Sequence, residues 1–119
     1  MSNFITLAQA IEMTTTYRKE KENILTAEYR GKGILPVCET FEKASFTALL
    51  GETDCQYIRV YLAMDEDLQI RVIVVGADSK NADILPVAGL AKPLDGGGNI
   101  VEDGIRCPDL CPPPSPINS

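Results

Sequence analysis

The chain has 119 residues, of which 45% are hydrophobic and 24% charged, and its formal net charge at pH 7 is −6. One domain is expected at this length, and the ordinary composition excludes collagen-like, coiled-coil and wholly disordered chains. Histidine is absent, which excludes Ser-His and Cys-His nucleophile pairs and histidine-ligated metals. An acidic chain repels phosphate backbones and anionic lipid headgroups. We therefore predict neither a nucleic-acid partner nor a membrane partner, and we find no motif for a cofactor.

The N-terminus lacks the cationic start and apolar run of a secretory signal. The longest apolar stretch, over residues 72–75, is the size of a strand rather than of a membrane span. These features predict a cytoplasmic protein, in which the four cysteines would be reduced.

The first predicted element is a helix over residues 6–29. Thr6 followed by Gln9 has the capping-box spacing of a helix N-terminus. Gly31 predicts that the helix ends before it. One face of this helix carries a stripe at helical spacing: Leu7, Ala10, Ile11, Thr14, Tyr17, Ile24 and Leu25.

Residues 34–51 fit two patterns. Leu35, Val37 and Phe41 fit a strand face, whereas Val37, Phe41 and Ala44 also fit a helical stripe. We predict a short strand over 37–41 and a helix over 43–50 that is closed by Gly51.

Strict alternation over residues 57–64 and 68–76 predicts a β-hairpin. A three-residue linker, 65–67, would place Met64 opposite Leu68 and Asp67 in the left-handed conformation. The even-numbered side chains are all apolar, so helices are expected to cover that face.

After the hairpin, turn residues over 77–83 precede short predicted edge strands at 84–85 and 99–102, with a flexible loop at 89–98 between them. The predicted organisation is one α+β domain over 1–106 and a Cys/Pro-rich tail over 107–119. In this fold two N-terminal helices pack on one face of a small antiparallel sheet built around the hairpin.

The odd-numbered face of the hairpin carries a candidate binding site made of Tyr57, Arg59, Tyr61 and Arg71. Two guanidiniums and two phenols could bind a carboxylate or a phosphate, or stack with a partner. The alternative is a solvated outer face on which Tyr61 covers the stem of Arg71.

The cysteines form a second candidate site. Cys55, Cys107 and Cys111 could bind a metal or form a disulfide, although the three-residue gap between the last two is not a tight zinc knuckle. Otherwise Cys38 and Cys55 are small core residues.

Several motifs together resemble an uncharacterised family of small bacterial proteins. They are an Ile-Thr-Leu-x-x-Ala-Ile helix at residues 5–11, Cys55 before an Ile-Arg-x-Tyr strand at 58–61, a Val-Ile-Val-Gly-x-Asp-like strand at 72–78 and a Cys/Pro-rich tail. In the tail, Asp109 and Leu110 widen the family's Cys-Pro-x-x-Cys pattern. No function is known for this family, so the resemblance implies element boundaries and fold alone.

Two functional hypotheses follow from these patterns. The first is a non-enzymatic cytoplasmic interaction or accessory domain that binds a protein partner, or a second copy, through the outer sheet face. The second is a thiol-based metal-binding or redox protein that uses the cysteines.

Overall fold

The structure is a computed structural model that describes residues 3–86 and 98–118. Its elements in chain order are α1 (Leu7–Glu20), a 3-10 turn (Ala27–Tyr29), β1 (Glu39–Thr40), α2 (Lys43–Leu50), β2 (Tyr57–Met64), β3 (Ile70–Ala77), β4 (Asp83–Ile84) and β5 (Ile105–Arg106). Strands β2, β3 and β4 form an antiparallel sheet in that order, and β1 pairs with β5 in a separate antiparallel ribbon. The predicted α+β class is confirmed.

Helix α1 begins as predicted but ends earlier. The Thr6 hydroxyl accepts the Gln9 N–H at 3.1 Å and the Gln9 side chain accepts the Thr6 N–H at 2.8 Å, so the capping box is present. The helix stops at Glu20 instead of continuing to residue 29. The Arg30 guanidinium donates to the backbone carbonyl of Glu22, and the Glu22 carboxylate accepts the Gly31 N–H at 2.6 Å. These bonds fold the chain back where the helix would otherwise continue.

The second helix is confirmed over residues 43–50 with Gly51 as its C-cap. The strand predicted over 37–41 is present in a shorter form, Glu39–Thr40. It pairs with Arg106 and Ile105, more than sixty residues further along the chain. Such a distant partner leaves no local pattern from which the strand's ends could be read.

The hairpin is confirmed, but its register differs from the prediction by two residues. Met64 pairs with Ile70 rather than with Leu68. The Asp65 carboxylate accepts two backbone N–H groups of the loop at 2.9 and 3.0 Å, which moves the turn one residue along the chain. Leu68, not Asp67, therefore takes the left-handed conformation, with φ at 62°. Because the shift is two residues, every side chain stays on its predicted face.

The hydrophobic core lies between α2 and β3. Leu49 of α2 and Val74 of β3 are fully buried, and Val101 completes the cluster by pairing with Val74 on the far edge of β3. Four partly buried side chains pack around it: Phe41, Phe46, Ile58 and Val72.

The prediction that helices cover the whole even-numbered face is wrong for β2. Val60, Leu62 and Met64 are 55%, 77% and 55% exposed. Helix α1 has no buried residue, and the described contact from its Tyr17 is a hydroxyl hydrogen bond of 2.6 Å to the Pro36 carbonyl. Cover by helices is therefore confined to the β3 side of the hairpin.

The C-terminal part of the chain returns to the domain. The edge strand predicted at 84–85 is β4, one residue earlier, and the strand predicted at 99–102 is reduced to the single bridge at Val101. The loop predicted at 89–98 lies outside the described residues except for Gly98. In the tail, Cys107 donates its N–H to the Cys38 carbonyl at 3.1 Å. Among the described residues no helix has the length and apolarity needed to cross a bilayer.

Candidate functional site

The four predicted binding residues share the odd-numbered face of the hairpin, but they do not form one cluster. Tyr57, Arg59 and Tyr61 alternate along β2, and Arg71 lies on β3 opposite Ala63. Tyr57 is 53% exposed and Tyr61 44% exposed, whereas both arginines are half-buried. The structure brings Arg59 and Tyr61 together and gives Arg71 separate contacts.

Asp83 of β4 joins Arg59 to Tyr61. Its carboxylate accepts Arg59 Nη1 on one oxygen and the Tyr61 hydroxyl on the other. Arg59 Nη2 also donates to the backbone carbonyl of Asn81 at 3.2 Å and to its side-chain oxygen. The Arg59 guanidinium is therefore neutralised within the chain, by a carboxylate that sequence reasoning assigned to a turn.

These contacts shift three pKa values in directions that keep the group in one protonation state. The Tyr61 hydroxyl and then the Arg59 guanidinium lower the pKa of the Asp83 carboxyl. The hydrogen bond to Asp83 raises the pKa of the Tyr61 phenol, because a phenolate would lose the donor and face a carboxylate. The same carboxylate raises the pKa of Arg59. The arrangement ties strand β4 to β2 across β3.

Arg71 compensates a buried carboxylate elsewhere. Its Nη2 donates to the Gly104 carbonyl at 3.0 Å, and its Nε lies 3.7 Å from a carboxylate oxygen of Glu39. The Glu39 side chain is 4% exposed, so it requires a nearby positive charge. With both guanidiniums paired inside the chain, we do not propose an anion site on this face.

The outer edge of β2 is a feature that sequence reasoning missed. On β3 the even-numbered residues bond away from β2: Ile70 to Ile34 at 2.8 Å and Val74 to Val101 at 2.9 Å. The odd-numbered residues of β3 therefore bond to β2, and the antiparallel register places odd residues opposite odd residues. The outward-facing N–H and C=O groups of β2 belong to Ile58, Val60, Leu62 and Met64.

Within residues 3–86 and 98–118, no strand pairs with this outer edge of β2. The strand is eight residues long, and it contains neither proline nor glycine. Five of its side chains are large, hydrophobic and well exposed: Tyr57, Val60, Tyr61, Leu62 and Met64. A long edge with unpaired backbone groups and apolar side chains is a template for pairing with another chain.

An apolar groove of about 390 Å³ continues from this edge across the even-numbered face. Leu62, Ile70 and Val72 of the hairpin line it together with Tyr17 of α1 and Phe41. The edge and the groove make one apolar surface on the even-numbered side of β2.

The three cysteines of the second candidate site do not converge. Cys107 and Cys111 form a disulfide, which contradicts the expectation of four reduced thiols. Cys55 is a free thiol whose Sγ lies 3.5 Å from the Tyr57 carbonyl, and Cys38 is also free. Cys111 is exposed beside a groove of about 410 Å³ that Val37 and the tail prolines line.

Of the residues that the structure describes, no three cysteine, aspartate or glutamate side chains are grouped so as to hold a metal ion. Comparison of the chain with protein families, with curated proteins and with solved structures found no match in any of the three.

Proposed function

We propose that this chain is a small, non-enzymatic interaction domain that works in the cytoplasm and binds another protein through β2. The observation that carries the proposal is the eight-residue outer strand, whose backbone edge is unpaired within the described residues and whose apolar side chains are exposed. Tyr57, Arg59 and Tyr61 border this surface on the odd-numbered side.

Burial energetics favour a partner at this surface. Leu62 is 77% exposed, and covering a side chain of this size contributes about 1.5–3 kcal/mol. The outward backbone groups add main-chain hydrogen bonds to a strand that joins the sheet, which is the usual basis of β-strand addition. Solvent competes for the same groups in the free chain, so the net contribution of each bond is about 1 kcal/mol.

The pairing of charged groups supports a non-enzymatic role. Arg59 is held by Asp83, and Arg71 lies beside Glu39. In the proposed interaction domain these two arginines place strands and compensate buried charge.

Site-specific photo-crosslinking in the cell that makes the protein tests this proposal. A benzoylphenylalanine replaces Leu62 in one variant and Leu50, which is 64% exposed on α2, in the matched control. We expect a discrete protein adduct from position 62 and none from position 50. No adduct at position 62, or the same adducts at both positions, would overturn the proposal.

A second candidate function, thiol–disulfide exchange, is favoured by the Cys107–Cys111 disulfide with Cys111 exposed. A thiolate of a dithiol partner would attack Cys111 Sγ and release Cys107 as a thiolate that takes up a proton. The partner's second thiolate would then displace Cys111, so that two electrons and two protons pass to the cysteine pair and the partner leaves as a disulfide.

Thiol titration of the folded chain tests this candidate. We expect two titrating thiols, Cys38 and Cys55, before reduction and four after it, with the second pair re-forming a disulfide in a dithiol–disulfide buffer. Four free thiols in a buffer set to the redox potential of the cytoplasm would exclude the exchange reaction.

A further inference from the structure

We infer that the partner of β2 is a second copy of this chain, whose β2 pairs antiparallel with the first around a two-fold axis that passes beside Tyr61. This inference rests on the proposed function, since it names the occupant of the same surface. It is drawn from the register, the side chains and the charge of the strand.

The backbone of β2 restricts how a second strand can join it. Only even-numbered residues of β2 present outward N–H and C=O groups, so an added strand must place its own outward residues opposite them. With Tyr61 opposite Tyr61 of the second copy, Val60 faces Leu62 of the second copy and Ile58 faces its Met64. Symmetry repeats both pairs. All four outward residues of each copy are then hydrogen-bonded, and this register leaves none of them without a partner.

This register brings apolar side chains of the two copies together. On the even-numbered face the pairs are Val60 with Leu62 and Ile58 with Met64. All four residues are apolar, and all four are at least partly exposed in the single chain. Cross-strand apolar pairs of this kind stabilise a sheet. On the opposite face each Tyr61 side chain reaches back across its own sheet to Asp83 of β4, so the apolar pairs of the even-numbered face supply the self-complementarity. An isologous interface requires this self-complementarity, whereas a foreign strand does not.

The charge of β2 also permits pairing with a second copy. Edge strands are usually protected from pairing by charged side chains. Arg59 is the only charged residue of β2. Its guanidinium reaches across the sheet to Asp83 of β4, so it does not place a charge at the outer edge. In the proposed register Arg59 faces Ala63 of the second copy, and the two Arg59 residues are about 13 Å apart along the strands. No like charges oppose each other in the paired segment.

The size of the surface predicts a weak dimer. Two paired eight-residue strands are about 26 Å long. Standard stable interfaces bury about 800 Å² on each partner, and a strand pair with its flanking apolar face is smaller. We therefore expect a concentration-dependent equilibrium between one and two copies rather than a permanent dimer.

Cysteine crosslinking tests the register. In a background with Cys38→Ser and Cys55→Ser, Tyr61→Cys is compared with Ala63→Cys on the same strand and face. Opposed residues of a non-hydrogen-bonded pair have Cα atoms about 4.5 Å apart, which a disulfide spans. Two copies of residue 63 are about 13 Å apart in this register, beyond the reach of a disulfide. We expect at least tenfold more oxidised dimer from Tyr61→Cys. Equal yields, or more dimer from Ala63→Cys, would overturn the register.

Sedimentation equilibrium tests the dimer without changing the Tyr61–Asp83 contact. Leu62→Lys places a charge on the exposed edge and is expected to abolish self-association, whereas Leu50→Lys on α2, similarly exposed, is expected to retain it. A wild-type chain that stays monomeric up to millimolar concentration would overturn the inference. If the photo-adduct at position 62 then contains a different protein, the proposed function stands and only the identity of the partner is wrong.

Discussion

Replacing Leu49 with alanine tests whether the core identified here holds the domain together. Leu49 has no exposed surface, and it packs with Val74 and Val101 beneath the Phe41 and Phe46 rings. The transfer cost of the lost carbons is about 2 kcal/mol at roughly 0.8 kcal/mol per methylene. A residual cavity adds to this, and buried Leu→Ala changes span about 2–5 kcal/mol. The two rings are only partly buried and can move to fill part of the space, so we expect a loss of about 3 kcal/mol.

Urea unfolding at a fixed protein concentration measures this loss, because self-association would otherwise change the apparent stability. With an m-value of about 1.5 kcal/mol/M, the midpoint is expected to fall by about 2 M. The matched control is Leu50→Ala on the adjacent position of α2, where the side chain is 64% exposed. That change is expected to cost less than about 0.5 kcal/mol. Equal losses at the two positions would show that the core does not lie between α2 and β3.

Three further changes address the hairpin and the strand contacts around it. Asp83→Asn is expected to reduce the loss of stability at acid pH, measured as urea midpoints over a pH series. The pKa of Asp83 is lowered in the folded chain, so its contribution to the free energy of unfolding is present above the unfolded-state pKa and is lost as the pH falls through the folded value. The same substitution should lower the pKa of Tyr61, measured by the ultraviolet absorbance of tyrosinate, and an unchanged Tyr61 pKa would contradict the contact. Leu68→Asn should raise the free energy of unfolding by about 0.5–1 kcal/mol, since a branched side chain at φ 62° is disfavoured and asparagine tolerates that conformation; a loss of stability would contradict the turn geometry. Gly104→Ala should cost about 1–3 kcal/mol in the same assay, because a Cβ there would lie 2.6 Å from a ring carbon of Phe41, and a neutral result would contradict that packing.

The local patterns in the sequence were sufficient for elements whose determinants are close together in the chain. The capping box of Thr6 and Gln9 marks the start of α1, and the residues before Gly51 define α2. Alternation placed both long strands on the correct faces. The hairpin register was not accessible in this way, because it depends on the Asp65 carboxylate bonding the loop backbone and placing an apolar residue in the turn.

Contacts between distant residues explain what sequence reasoning missed at the candidate site. Grouping Arg71 with the β2 residues was reasonable from alternation alone, but Arg71 is drawn to Glu39 and Gly104, which lie in distant parts of the chain. Asp83 lies in a segment whose composition is typical of a turn. Its contact with Arg59 and Tyr61 depends on the pairing of β4 with β3, which the local sequence does not indicate. The open edge could have been inferred: the chain has one long hairpin and only short segments that could extend it, so part of an edge had to remain unpaired.

Residue-resolved amide hydrogen exchange of the full chain, at several protein concentrations, measures directly whether the outer edge of β2 is free in one copy and paired in two. We expect the amides of Val60 and Leu62 to exchange rapidly at low concentration and to become protected as the concentration rises. The amides of Arg59 and Tyr61, which bond to β3, should be protected throughout. Protection of Val60 and Leu62 that is complete even at the lowest concentration would show that the chain covers its own edge. Rapid exchange at every concentration would show that no second copy binds there.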